Sequence, residues 1–413
     1  MAAEVAATTE DRSAEVAATT NDRSAEGIAP AAYTDRMTSS TASLSTAPLD
    51  VTTAVRDRYS AAAEAAEPAL CCPVDYDAQY LTIIPDEILE KDYGCGDPSK
   101  WVQPGDRVLD LGSGGGKICY IAAQVVGAEG SVVGVDINDD MLAMARRHQP
   151  AIAERLGYDN VTFKRGRIQD LALDLDAVDR LLAEQPAVDA AAWLQLHDQT
   201  DRLRQTQPLI PDGSVDVVVS NCVLNLVAES DRRQLFSEIA RVLAPGGRAV
   251  ISDIVSDQIV PEALKADAEL WSGCLSGAFQ EEAFLQAFEA AGLVGIEVVA
   301  RQSQPWQTIA GIDFRSVTIR AYQPLGTTSP NPDEYTGERV LYRGPWAAVM
   351  DESGLELSRG QATDVTRAQA ARLRGQPFAS HLVALDADGT ATTAPVELLP
   401  TLNGCCDTSS GCC

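Results

Sequence analysis

From Arg107 onward, short apolar runs alternate with segments in which apolar residues recur every three or four positions. The runs RVLDL (107–111), SVVGVD (131–136), VTFKRG (161–166), VDVVVS (215–220), RAVISDIV (248–255), GIEVVAR (295–301) and SVTIRAY (316–322) read as strands, bounded by turn residues. Between them, KICYIAAQVV sets Ile118, Ile121, Ala122 and Val125 on one helical face, and RRQLFSEIARVLAPGG runs into a Pro-Gly-Gly stop ahead of the next strand. This alternation predicts an α/β domain: a Rossmann-like, doubly wound, mostly parallel seven-stranded sheet with helices on both faces.

The same pattern marks what is added to that core. Residues 171–208 are too long for a simple connection, and Leu175, Val178 and Leu182, then Trp193, Leu196 and Leu203, fall at helical spacing on either side of Pro186. A two-helix insertion is predicted there. PNPDEYTGE, near residue 329, separates the larger domain, placed at 67–325, from a smaller C-terminal α+β domain over 330–400. A Cys-rich tail, 401–413, follows. Residues 1–66 hold few large apolar side chains and repeat AEVAATTEDRS (3–13) as AEVAATTNDRS (14–24). This N-terminal arm, with its 11-residue repeat, is expected to be disordered.

Charge and composition narrow the function classes. Sixty acidic residues against 32 basic leave a net charge of −28, which repels phosphate backbones and anionic lipids. Neither nucleic acid nor membrane is an expected partner. With no long apolar window and no basic, apolar leader at the start, the chain is expected to be soluble and cytoplasmic. Its 3 histidines (His148, His197, His381) show no ligand spacing, whereas 10 cysteines are scattered along a long chain, a distribution that favours reduced thiols with chemical roles over a disulfide framework.

DLGSGGGK follows the first strand and opens a helix, the context that makes a glycine loop a ligand loop. Gly112 and Gly114 let the backbone turn sharply and approach a ligand, and Asp136 ends the next strand where a carboxylate can accept from both ribose hydroxyls of a nucleoside. Lys117 stands where a dinucleotide fingerprint has its third glycine, and Asp110 would sit beside any pyrophosphate, so this carboxylate suits an ammonium better. The loop resembles motif I of the seven-stranded S-adenosylmethionine methyltransferases. That resemblance implies Asp110 near the methionine moiety, Asp136 on the ribose, Ile137 and Ile168 flanking the adenine, and Gln169 at its polar edge; Asn221, just past the fourth strand, joins the cofactor residues.

Cys95 in YGCG, Cys222 in SNCVLNL and Cys274 in WSGCLSGA each have small or polar neighbours, whereas a packing cysteine usually sits among large apolar ones. Cys119, on the apolar segment KICYI, is the contrast and reads as core. Packing is the ordinary role of an isolated cysteine, but Cys222 stands at the carboxyl end of the fourth strand, where open α/β sheets bind ligands. Thiolates are soft ligands, and three that converge would suit a thiophilic element.

YGCG, DLGSG, SNCVLNLV and WSGCLSGA occur in the same order in arsenite S-adenosylmethionine methyltransferases, which this chain resembles over roughly 70–400, RSVTIRAY and LYRGPW included. The resemblance implies that Cys95, Cys222 and Cys274 bind As(III), from arsenite or its thiol conjugates, and that methyl transfer serves arsenic detoxification. It also implies a thiol reductant of thioredoxin or glutathione type as co-substrate, because methylation formally oxidises arsenic and neighbouring thiols can return the electrons. Cys71 and Cys72 lie roughly where the family has a redox partner for the cysteine matching Cys95; which of the two pairs stays open. Two other readings compete: a class I methyltransferase for another small-molecule acceptor, and a non-catalytic metalloid-binding thiol protein, against which the intact DLGSG loop argues.

Overall fold

The computed structural model describes residues 50–65, 67, 74–325, 335–385 and 391. The duplicated N-terminal repeat, Cys71, Cys72, the boundary near 329 and the Cys-rich tail lie outside the described residues.

All seven expected strands form. They are β1 (Arg107–Leu111), β2 (Ser131–Asp136), β3 (Val161–Arg165), β4 (Val215–Asn221), β5 (Leu243–Ser256), β7 (Val294–Arg301) and β9 (Ile312–Tyr322), with the short β6 (Phe279–Gln280) and β8 (Gln307–Ile309) paired to β5 and β9. The order is β3-β2-β1-β4-β5-β9-β7; β1 through β5 are parallel, and β9 runs antiparallel to both β5 and β7.

Buried strands of such a sheet must be apolar on both faces. Val108, Val217 and Val219 join the core on one side, while Leu109, Leu111 and Val218 join the core on the other, as a period of two requires. Because β1 connects outward to β2 and its other neighbour is β4, the loops after β1 and β4 diverge and open a crevice at the carboxyl ends of the strands.

The insertion is two helices, Leu175–Glu184 and Ala190–Thr206, neither with a fully buried residue. Arg204 tethers the second through Asp170, at 2.9 and 3.1 Å. Toward the C-terminus, β10 (Tyr335–Tyr342), β13 (Ala362–Thr366) and β14 (Leu382–Leu385) form a separate antiparallel sheet, beside the hairpin of β11 (Ala348–Met350) and β12 (Glu356–Ser358). This sheet has its own small core around Val340, Tyr342, Val365 and Leu373.

One expectation is corrected. The arm over 1–66 is not uniformly disordered, because Val51–Glu64 is a helix capped by Asp50, which accepts from the Thr53 amide. Composition averaged over the arm hid a local amphipathic stretch: Ala62 is buried, Tyr59 packs edge-on against Tyr93 at 6.0 Å, and Arg58 donates to the Glu269 carbonyl at 2.7 Å and Ser272 Oγ at 2.9 Å. Tertiary contacts of this kind order a helix that its own propensity would not. Among the described residues no helix is long and apolar enough to cross a membrane.

Candidate active site

A cleft of about 380 Å³ opens at the carboxyl ends of β1, β2 and β4. Asp110, Gly112, Gly114 and Asp136 line it, as do Ile137, Ile168, Gln169 and Asn221, and Cys222 stands on the same wall. Every residue expected to touch the cofactor therefore borders one cavity. Gly112 is left-handed, with φ 69°, and a Cβ there would meet Val223 Cγ1 at 2.4 Å, so only glycine lets the β1 loop pass the β4 loop this closely. A Cβ on Gly114 would meet nothing within 4 Å.

The electrostatics of the cleft call for a cation and for donors. Asp110 is buried and takes a hydrogen bond from the Cys119 thiol at 3.2 Å; burial, aided by the charges of Asp136 and Asp92, pushes its carboxyl up to about 7. Lys117 does not answer it, since Nζ is held by Asp92 at 2.7 Å and lies 3.6 Å from the Tyr76 ring centroid. Burial also raises Asp136, whose carboxylate accepts from the amides of Gly114 and Asn138, both at 2.8 Å. Ser113 Oγ is buried without a partner. A nucleoside with vicinal hydroxyls and an ammonium would fit these groups, its hydroxyls at Asp136, its cation at Asp110 and its base between the apolar side chains of Ile137 and Ile168. Cys119 is fully buried on the helix Lys117–Val126, in keeping with its core reading.

The thiols cluster at the Cys222 wall of the cleft. Three non-glycine residues among those described have positive φ, and two of them are Cys222 (63°) and Cys274 (61°). A left-handed L-residue costs roughly 1–2 kcal/mol and persists only where its surroundings impose it. Here the imposition is visible. Asp253, on β5, accepts from the amides of Leu224 at 2.9 Å and Asn225 at 3.3 Å, and from Asn225 Nδ2 at 2.7 Å, locking the turn that follows Cys222.

Sγ of Cys95, Sγ of Cys222 and a carboxylate oxygen of Asp253 lie within 4.8 Å of one another. Cys274 Sγ donates to the Cys222 carbonyl at 3.0 Å. Hydrogen bonding to Cys274 and then to Cys95 raises the Cys222 thiol well above its ordinary range, and burial raises Cys95. All three thiols are free and buried. Thiols that resist ionisation, as Cys95 and Cys222 do, gain most from a ligand that displaces their protons outright.

Two contributors escaped the sequence reading. Tyr59, on the N-terminal helix, lines the cleft. Asp253 lies in RAVISDIV, and a carboxylate inside an apolar strand was the available signal. Burial pushes Asp253 up to about 7. Asn has one acceptor oxygen, so it can serve either the Leu224 and Asn225 amides or Asn225 Nδ2 and the Ile254 amide but not both pairs, and Asp253→Asn is expected to lose about 2 kcal/mol of stability, read by chemical denaturation.

The strand order, the glycine loop and the acidic residue ending β2 define a class I S-adenosylmethionine methyltransferase fold. A methyltransferase-domain family matches residues 103–203 and 195–292, and a domain of unknown function matches 331–404. The arsenite methyltransferase of Aquipseudomonas alcaligenes is 34% identical over 66% of this chain and 71% of its own length, and that of Mus musculus 28% identical over 74% and 73%. This chain belongs to the arsenite methyltransferase family. Among solved structures, an arsenic(III) S-adenosylmethionine methyltransferase from Chlamydomonas reinhardtii is 27% identical, covering 79% of this chain and 98% of that one, with a TM-score of 0.49.

Proposed function

We propose that the protein transfers a methyl group from S-adenosylmethionine to As(III) held by Cys95, Cys222 and Cys274, in the cytoplasm and in the service of arsenic detoxification. The observation that carries this reading is the placement of Cys222, which lines the cofactor cleft with its sulfur within 4.8 Å of the Cys95 sulfur and its carbonyl bonded by the Cys274 thiol. Arsenite condenses with three thiols by exchanging three hydroxyls for three sulfurs, and the thiol protons leave in three waters. A general base is not required, which suits a chain with 3 histidines.

When bound, S-adenosylmethionine supplies an electrophilic methyl on a positively charged sulfur. Asp110 neutralises its ammonium and Asp136 holds its ribose, which fixes the reach of the methyl toward Cys222. The thiols keep arsenic pyramidal, with its lone pair free to face the cleft. Two reactants held in line gain about 7–11 kcal/mol over free encounter when alignment is good. Tyr59 and the helix that carries it form part of the cleft wall.

Transfer leaves arsenic formally pentavalent. Two electrons must return before another cycle, and a pair of thiols closing to a disulfide provides them, with a thioredoxin- or glutathione-type reductant reopening the bond. Cys95 with Cys71 or Cys72 is the pair proposed for this step.

The test is to incubate the protein with arsenite, S-adenosylmethionine and a dithiol reductant, then separate the arsenic species. Methylated arsenicals are expected. Tight As(III) binding with no methylated product would make the protein a sequestering one, and neither binding nor turnover would point to another acceptor.

A further inference from the structure

Cys95 sits in a loop outside any helix or strand, yet its thiol must meet one presented by β4. The residue that joins the two is Asn221, the last of β4 and the immediate neighbour of Cys222. Its Oδ1 accepts from the amides of Cys95 at 2.9 Å and Gly96 at 3.0 Å, and its Nδ2 donates to the Gly96 carbonyl at 2.7 Å and Tyr76 Oη at 3.1 Å. An amide offers two acceptor sites and two hydrogens, so its capacity is filled. Although Asn221 borders the cleft, it has no polar valence left for a cofactor.

The loop is shaped around this contact. A Cβ on Gly94 would stand 2.1 Å from Asn221 Nδ2, and one on Gly96 would stand 2.6 Å from Ser252 Oγ. Ser316 Oγ adds a bond to the Cys95 carbonyl at 2.7 Å. On the other side of Asn221, Asp253 fixes the turn that carries Cys222. One side chain thus spans two thiol-bearing segments 126 positions apart in sequence, between backbone atoms held on both sides.

We propose that Asn221 is the positioning residue that sets the separation of the Cys95 and Cys222 thiols, and so makes the arsenic site three-coordinate. The inference rests on the reading of Cys95 as an arsenic ligand. It assigns Asn221 to the metalloid site rather than to the cofactor.

Arsenic-edge X-ray absorption on the As(III)-loaded full chain tests it. Wild type is expected to show three As–S contacts and Asn221→Ala two, with arsenite affinity about tenfold weaker and S-adenosylmethionine affinity within about threefold, since displacements on the order of 1 Å suffice for such losses. In the Asn221→Ala background, Cys95→Ser should cause no further loss. A merely destabilising change would not show this non-additivity. Gly94→Ala removes no functional group but displaces the amide, and it should reproduce the phenotype if Asn221→Ala folds poorly. Three As–S contacts retained in both variants, or weakened cofactor binding with arsenite affinity intact, overturns the proposal. Fewer than three contacts in wild type instead removes the ligand reading beneath it.

Discussion

Cys222→Ser is expected to abolish arsenite methylation, lowering kcat/KM about a thousandfold or more, equivalent to roughly 4 kcal/mol of lost transition-state stabilisation. The size follows from position. The Cys222 sulfur lies within 4.8 Å of the Cys95 sulfur, the Cys274 thiol bonds the Cys222 carbonyl, and among the described residues Cys222 is the cysteine that lines the cofactor cleft, so its loss takes the thiol nearest both others and the cleft. A serine oxygen is a hard ligand with little affinity for trivalent arsenic. The fold should tolerate the change, because Ser occupies φ 63° about as readily as Cys and its hydroxyl can still donate. Asp110 and Asp136 are untouched, so S-adenosylmethionine should bind within about twofold of wild type by calorimetry, the Cys222 side chain making no polar contact with either carboxylate. A variant that keeps a tenth of wild-type turnover would show that Cys222 is packing after all.

The parallel strands were legible because burial on both faces leaves few polar positions, so the run VVV in VDVVVS marks β4 without help from its neighbours. The position of the cleft was legible too, since β4 and β1 end side by side, whereas Ile137, Ile168 and Gln169 entered only through the family resemblance. What sequence pattern does not carry is direction at the ends of elements. Nothing in SNC tells that Cys222 is left-handed or that the Asn221 amide turns to the Cys95 loop; both depend on Asp253 and Gly96, which reach the site from other segments. The helix Val51–Glu64 was hidden for a related reason. Its ordering comes from Tyr93, Glu269 and Ser272, contacts that no window of local composition contains.

Asp110→Asn should produce the second large effect, and its sign depends on pH. Burial raises Asp110 to about 7, far above the ordinary carboxyl value, because no cation answers it in the ligand-free protein. Binding a ligand that carries an ammonium requires the ionised carboxylate, so a proton is released on binding and affinity for S-adenosylmethionine should rise with pH. Between pH 6 and pH 8 the ionised fraction grows about tenfold, and the dissociation constant should fall by about that factor before levelling off. Asn cannot ionise. Its variant should bind about a hundredfold more weakly at pH 8, as loss of a buried charge partner costs about 2–5 kcal/mol, and should show a flat profile that meets the wild-type curve near pH 5. Stability of the ligand-free protein runs the other way: a carboxyl whose folded pKa is raised holds its proton more tightly when folded, so stability falls as pH climbs from the unfolded value toward 7 and changes no further above it. Asp110→Asn removes that loss. At pH 8 the ligand-free variant should therefore melt above wild type while binding the cofactor far less well, and a variant that melts lower and binds equally would mean that Asp110 serves the fold rather than the ammonium.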